Sequence, residues 1–201
     1  MLTVVGMGPA GLQWLIPAAR EAIAPAEALV GGSRHLQQFP DFAGERFALG
    51  ADMPALLAWI EARTGRRVVV LASGDPLFYG IGTRLIAHFG RERVQVIPGI
   101  SAVQYLCARA GIDMNDMWLT SSHGRAVSFD ALAAHRKVAM VTDGRCGPRE
   151  IAAQLMARGK GHRWMVIGEN LAMENERIHW LPVSAVEDEY EMNAVVILDE
   201  R

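Results

Sequence analysis

Residues 66–82 have the sequence RRVVVLASGDPLFYGIG, and this stretch decides the fold. Residues 66–72 are rich in valine and other apolar side chains, which is typical of a strand buried on both faces of a parallel sheet. The strand runs into a turn that carries a carboxylate, a proline, glycines and an aromatic pair. Ligands of open α/β sheets bind beyond the carboxyl ends of the strands, so this turn predicts a small-molecule site.

Strand-like and helix-like segments alternate along nearly the whole chain. The patterns predict strands at 2–5, 28–30, 66–72, 94–97, 117–120, 138–141, 164–167, 177–181 and 194–198, and helices at 12–24, 54–63, 83–89, 102–110, 129–135 and 149–157. Pro17 must lie near the first turn of the first helix or bend it. Residues 111–116 are polar and rich in turn formers. We therefore predict two consecutive α/β domains, 1–113 and 114–201, with a mixed sheet in the second.

The composition excludes several classes of protein. The 201 residues are 51% hydrophobic and carry a formal net charge of −2, which excludes a disordered chain and a nucleic-acid-binding tail. No apolar run approaches the roughly 18–20 residues that span a bilayer, and the first residues lack the features of a signal peptide. Cys107 and Cys146 have no pairing pattern, and the histidines lack metal-ligand spacing. We expect a cytoplasmic protein that binds no membrane, nucleic acid or metal.

A glycine-rich turn directly follows the first predicted strand. Its sequence, GMGPAG at 6–11, matches the G-x-G-x-x-G pattern of dinucleotide-binding folds and of many flavoproteins. Those folds need a carboxylate at the end of the second strand to hold a ribose hydroxyl, whereas residues 30–33 are VGGS. Pro17 also interrupts the helix that follows. For this turn alone, a flavin- or nicotinamide-dependent oxidoreductase and a turn without any ligand both stay open as interpretations.

Three segments together resemble one known family. LTVVGMGPAG at 2–11, SGDPLFYG at 73–80 and PGIS at 98–101 are similar, in order and spacing, to the tetrapyrrole (corrin/porphyrin) methylases. The resemblance covers essentially the whole chain. It implies two α/β domains of the class III methyltransferase fold, with S-adenosylmethionine in the cleft between them.

The second half of the chain narrows the resemblance. SSHGR at 121–125, TD at 142–143 and GENL at 168–171 resemble the branch that methylates C-5 of cobalt-precorrin-7 in cobalamin biosynthesis. That branch also exists fused to a decarboxylating methyltransferase domain. The fused form allows a separate decarboxylating C15-methyltransferase as a partner of this chain. Independently of that, membership of the family implies a homodimer.

The resemblance also implies the residues of the site. The positions that would hold the cofactor are Gly8, Pro9, Ser73, Gly74, Asp75, Phe78, Ser101, Ala102 and Thr142. A corrin precursor bears acetate and propionate carboxylates, which need nearby cations. The candidate substrate ligands are Arg84, Arg125, Arg145 and Arg149. His123 and Tyr79, in the two most distinctive loops, are candidates for removing a proton or orienting the ring, since histidine is the side chain that titrates nearest neutrality.

Other functions stay open at the level of the sequence. Within the same class, the chain could methylate another tetrapyrrole or act like a diphthine synthase, although the SHGR segment argues against both. From other classes, the oxidoreductase indicated by residues 6–11 and a tetrapyrrole carrier without catalytic activity are the competing hypotheses.

Overall fold

The computed structural model describes residues 1–200, which form two compact units, one of Met1–Ser101 and one that begins at Ala102. Each unit has one five-stranded sheet with helices packed on it, so the prediction of two α/β domains is confirmed. The strands are β1 (Leu2–Gly6), β2 (Ala28–Gly31), β3 (Glu45–Ala48), β4 (Val68–Ala72), β5 (Val94–Ile97), β6 (Trp118–Ser121), β7 (Lys137–Val141), β8 (Trp164–Glu169), β9 (Arg177–Pro182) and β10 (Asn193–Leu198). The helices are α1 (Pro17–Ile23), α2 (Ser33–Leu36), α3 (Met53–Glu61), α4 (Gly82–Phe89), α5 (Ala102–Ala110), α6 (Phe129–Ala134) and α7 (Pro148–Met156).

The first unit is built on a parallel sheet with strand order β3-β2-β4-β1-β5. Both faces are covered: α1 and α2 pack on one, and α3 and α4 pack on the other. This double burial explains the valine-rich strands. The chain leaves β1 toward the α1 face and leaves the adjacent strand β4 toward the α4 face. The carboxyl ends of β1 and β4 therefore form a topological switch point, where open α/β sheets bind ligands.

The second unit has the predicted mixed sheet, with strand order β6-β7-β10-β8-β9. Only β6 and β7 are parallel, and β10 runs antiparallel to both of its neighbours. Helices α6 and α7 bury Leu132, Ile151 and Leu155 on one face. Helix α5 packs against β10 and β7, so it belongs to this unit, and the compact units divide after Ser101 rather than at residue 113.

One predicted helix is wrong, and one strand and one α-helix have no counterpart in the predictions. Residues 12–24 are not one helix: Leu12–Trp14 is a single 3₁₀ turn, and α1 begins at Pro17, where the missing N–H costs no hydrogen bond. The edge strand β3 was not predicted because its sequence, ERFA, is half-exposed and carries two charged residues. The helix α2 was not predicted because a single turn is too short to show a helical period. Every helix among residues 1–200 is too short or too polar to cross a membrane.

Candidate active site

Three glycines bring the carboxyl ends of β1, β4 and β5 together. A Cβ on Gly6 would lie 2.5 Å from the Cα of Gly99 and 2.6 Å from the carbonyl oxygen of Gly74, far inside normal packing distances of about 3.5–4.0 Å. The loops are also joined directly, because the Gly8 and Gly74 main chains exchange hydrogen bonds of 3.2 and 3.0 Å. The three loops beyond these strands thus form one backbone surface at the switch point.

Asp75 holds this surface together through main-chain hydrogen bonds. Its Oδ1 accepts from the N–H groups of Leu77 (2.8 Å) and Phe78 (3.2 Å) in its own loop. Its Oδ2 accepts from the N–H of Gly99 in the loop after β5, at 3.1 Å. The carboxylate predicted to bind a cofactor therefore fixes two neighbouring loops relative to each other.

The aromatic pair of the first unit also lies in the loop after β4. The rings of Phe78 and Tyr79 meet edge to face with centroids 5.2 Å apart. Tyr79 has a φ of 54°, a left-handed conformation that is uncommon for a bulky residue and frequent at functional sites. Ser73 is exposed beside Gly74, whereas Pro9 and Ser101 are buried. The structure thus gathers the first-unit cofactor candidates and Tyr79 at the ends of β1, β4 and β5.

His35 is a residue of this region that the sequence did not single out. It is 6% exposed in α2, and its Nε2 lies 3.4 Å from the hydroxyl oxygen of Ser73. Burial lowers the pKa of His35 from 6.5 to about 4, the positive charge of Arg34 adds to the decrease, and a hydrogen bond to the Leu71 backbone opposes it. The imidazole is therefore neutral near pH 7. Only the adjacency of β2 and β4, which the sequence does not show, brings it beneath Ser73.

The second unit repeats the arrangement of Asp75 at Asp143, which follows β7. Oδ1 of Asp143 accepts from the N–H groups of Arg145 (3.0 Å) and Cys146 (3.1 Å), two and three residues further on. Oδ2 accepts from the N–H of Gly124, in the loop after the neighbouring strand β6, at 3.1 Å. These N–H groups, that of Gly124 first, hold the pKa of Asp143 below its ordinary value. The carboxylate therefore stays ionised while most of its hydrogen-bonding capacity is used.

Four of the remaining candidate residues lie on or beside the loops that Asp143 joins. His123, Arg125 and Arg145 lie on the loops that Asp143 joins, and all three are exposed. Thr142 lies beside them, with its hydroxyl 2.9 Å from the carbonyl oxygen of Asn193 and 2.6 Å from its side-chain Oδ1.

Arg84 and Arg149 lie outside the loops that Asp143 joins. Arg84 is an exposed residue within α4 of the first unit, and Arg149 lies in the first turn of α7, 3.5 Å from the Glu189 carboxylate. Ala102, a cofactor candidate, is the first residue of α5. Within residues 1–200 no three histidine, cysteine, aspartate or glutamate side chains converge as metal ligands would.

The segment after β8, within the GENL motif, has unusual backbone geometry. Asn170 and Ala172 have φ values of 49° and 64°, in the left-handed region that non-glycine residues rarely adopt. The N–H of Ala172 donates to Glu176 at 2.6 Å, and Arg109 of α5 donates to the same carboxylate at 2.8 Å. Burial alone would raise the pKa of Glu176, but these donors and Tyr105 lower it overall. The carboxylate thereby fixes the segment against α5.

Comparison with known proteins gives consistent results. The family model of the Tetrapyrrole (Corrin/Porphyrin) Methylases matches residues 1–186. A cobalt-precorrin-7 C(5)-methyltransferase of Salmonella typhimurium is 79% identical over 201 residues, the full length of both chains. A decarboxylating precorrin-6Y C(5,15)-methyltransferase of a Sinorhizobium species is 33% identical over 88% of this chain, which spans 44% of that protein. A uroporphyrin-III C-methyltransferase of Thermus thermophilus, crystallised with S-adenosylhomocysteine, has the same fold, with a TM-score of 0.79 at 19% identity over 98% of this chain and 96% of that one.

Proposed function

The chain belongs to the tetrapyrrole (corrin/porphyrin) methylase family, and on this basis we propose that it transfers a methyl group from S-adenosylmethionine to C-5 of cobalt-precorrin-7 in cobalamin biosynthesis. The full-length relative at 79% identity supports the substrate and the position of methylation. The observation within this chain that carries the proposal is the switch point at the ends of β1 and β4, since that is where the fold binds ligands.

The groups presented at this switch point fit the methyl donor. S-adenosylmethionine combines an adenosine with an amino-acid end, and both bind well to hydroxyls, main-chain groups and aromatic rings. The loops offer the Ser73 hydroxyl, the ring of Phe78, and the carbonyl oxygens of Gly8 and Gly74, each of which has a second lone pair beside its hydrogen bond. The remaining proposed cofactor residues are Pro9, Asp75, Ser101, Ala102 and Thr142. Asp75 acts there by fixing the loops.

The sulfonium of the bound cofactor supplies a methyl group that needs no further activation. The protein therefore has to hold the ring carbon in line with that methyl group and to exclude water. Fixing two reactants in this way can supply about 7–11 kcal/mol of the barrier. The main-chain bonds between Gly8 and Gly74 and the bond from the Gly99 N–H to the Asp75 carboxylate would provide the required rigidity.

Proton transfer and substrate orientation are assigned to side chains on the loop after β4 of the first unit and on the loops that Asp143 joins in the second unit. His123 and Tyr79 are proposed to take up a proton or orient the ring. Arg125 and Arg145 are proposed to bind carboxylates of the substrate. Arg84 and Arg149 remain candidates of the same kind, with less support because neither lies on the loops that Asp143 joins. If His123→Ala and Tyr79→Phe both left turnover unchanged, neither side chain would have an acid–base role.

Two associations complete the proposal. The protein is proposed to form a homodimer, which light scattering of the purified chain tests directly. The Sinorhizobium relative, more than twice as long, is named as acting at both C-5 and C-15 with decarboxylation. We therefore propose a separate decarboxylating C15-methyltransferase as a partner of this chain, which co-purification of the two proteins would test.

The deciding experiment is calorimetric titration with S-adenosylhomocysteine, NAD and FAD in parallel, followed by incubation with S-adenosylmethionine and cobalt-precorrin-7. We expect one S-adenosylhomocysteine per chain, no binding of NAD or FAD, and a product that has gained one methyl group. Ser73→Ala should weaken S-adenosylhomocysteine roughly 2- to 10-fold, as loss of a neutral hydrogen bond does, and the exposed Ser33→Ala should not. Binding of a dinucleotide alone would refute the proposal.

A further inference from the structure

The second unit contains an open recess of about 320 Å³ between the loops that follow β6 and β7. Ser122, Gly124 and Arg125 line it from the first loop, and Asp143, Arg145 and Cys146 line it from the second. Both loops leave the carboxyl ends of adjacent parallel strands, the edge at which α/β sheets bind ligands. The recess therefore lies where a ligand of this unit is expected.

Hydrogen bonds in both directions hold the two loops at a fixed separation. Asp143 accepts from the N–H of Gly124 across the gap, and it also accepts from the N–H groups of Arg145 and Cys146 in its own loop. In return, the Ser122 hydroxyl donates to the carbonyl oxygen of Cys146 at 2.9 Å. The main chain around the recess is thus held by hydrogen bonds of the Asp143 carboxylate and the Ser122 hydroxyl.

The charges around the recess favour an anion. Arg125 and Arg145 enter from opposite loops, and α7 begins at Pro148, just after the second loop, with the positive end of its dipole. The one carboxylate of the lining, Asp143, keeps its negative charge, but three main-chain N–H groups already bind it, and the two arginines outnumber it. Two guanidinium groups on separate loops are suited to grip one carboxylate from two sides.

We propose that this recess binds one acetate or propionate side chain of the corrin substrate, with Arg125 and Arg145 as its ligands and Asp143 as the positioning residue that sets the distance between them. The inference rests on the proposed function, because it takes the substrate class from there. It adds the location of one carboxylate of the substrate and the residue that organises its binding. Asp143 touches no substrate in this scheme and acts through the two loops.

The test compares two corrins with the purified full chain: one whose side chains end in free carboxylates, and the same corrin with those side chains amidated. Dissociation constants are measured by absorbance titration. We expect the wild type to prefer the free acid. We expect Arg145→Met to weaken the free acid about 10-fold or more, the usual cost of one charge-assisted hydrogen bond, without affecting the amide. Asp143→Asn should also weaken the free acid and not the amide, even though it removes a negative charge near the anion, because asparagine cannot accept the N–H bonds on both sides of the gap. Arg158→Met, paired with Asp130 elsewhere in the unit, is the matched control and should change neither.

A double-mutant cycle separates positioning from general loss of structure. If Asp143 acts through Arg145, the double variant should bind the free acid no more weakly than Arg145→Met alone. Fully additive losses, or equal weakening of acid and amide by Asp143→Asn, would overturn the positioning role. Should Asp143→Asn fail to fold, Arg145→Met still tests the recess, and an unchanged acid preference in that variant would refute the site.

Binding of S-adenosylhomocysteine, measured on the same samples, distinguishes failure of this inference from failure of the proposed function. If the wild type and Arg145→Met both bind S-adenosylhomocysteine but neither prefers the free acid, the recess is not a carboxylate site and the methyltransferase function stands. If the wild type binds neither S-adenosylhomocysteine nor either corrin, the proposed function itself fails, and the inference falls with it.

Discussion

His35 makes the stability of the first unit depend on pH in a calculable way. Its folded pKa is about 4, against an ordinary value of 6.5, because burial disfavours the charged imidazole. The unfolded chain therefore takes up a proton near pH 6.5, whereas the folded chain resists it until about pH 4. Above pH 6.5 both states are neutral and His35 contributes no pH dependence. Below it, stability is lost as pH falls.

The size of the effect follows from these two pKa values. Between about pH 7.5 and 5.5, the unequal protonation of the folded and unfolded states lowers the free energy of unfolding by about 1.3 kcal/mol. With a urea slope of about 2–3 kcal/mol/M, the unfolding midpoint should fall by about half a molar. Carboxylates contribute little in this window, because their ordinary pKa values lie below it.

Urea unfolding of the wild type and of His35→Gln at the two pH values measures the effect. Glutamine keeps a polar group near the Ser73 hydroxyl but does not titrate, so its midpoint should fall by about half a molar less than that of the wild type. His162→Gln, which removes an exposed histidine of the other unit, should keep the wild-type pH dependence. If His35→Gln lost as much stability as the wild type on acidification, His35 would not be held neutral by burial, and the assignment would be refuted.

Three further substitutions test the packing and the loops. Asp75→Asn can no longer accept all three main-chain N–H groups, so S-adenosylhomocysteine should bind roughly 10-fold more weakly by calorimetry, and unchanged affinity would contradict the loop-fixing role. Gly99→Ala should cost about 2 kcal/mol or more in urea unfolding, because its Cβ would lie 2.7 Å from the Cα of Gly6, whereas Gly32→Ala, with open space around it, should cost little. The buried Arg163 donates to three main-chain carbonyl groups, so Arg163→Met should cost about 3 kcal/mol, against under about 1 kcal/mol for the exposed pair lost in Arg158→Met.

The sequence predicts the architecture well where the pattern is long or the turn chemistry is specific. The strand at β4 and the turn after it were identified from a valine run followed by glycine, aspartate and proline. The predicted strand 94–97 and helix 102–110 agree with β5 and α5. The helix predicted at 12–24 starts too early: Pro17 lies in the first turn, one of the two positions expected for it, and residues 12–14 form a separate 3₁₀ turn. The boundary predicted at residue 113 places α5 in the first unit, whereas α5 packs on the sheet of the second. The local sequence pattern does not show which sheet a helix packs on.

The candidate site could be predicted only as far as its loops. Ser73, Asp75 and Arg125 can be identified as candidates from the sequence because each lies in a segment that resembles a motif of the family. It could not show that Asp143 organises the recess, because its hydrogen bond to Gly124 depends on the pairing of β6 with β7. It also passed over His35, whose contact with Ser73 depends on β2 lying beside β4. Both contacts depend on which strands lie side by side in the sheet, and the sequence pattern does not give that order.

The bonds around Asp75 and Asp143 have a consequence for how this enzyme can change. Every donor to the two carboxylates is a main-chain N–H, so these bonds do not involve the side chains of Phe78 or Arg145. Phe78 and Arg145 can therefore be exchanged while the frame that presents them persists. If the proposed roles of Phe78 and Arg145 hold, these two loops are where substitutions should change ligand preference with the least effect on the main-chain frame.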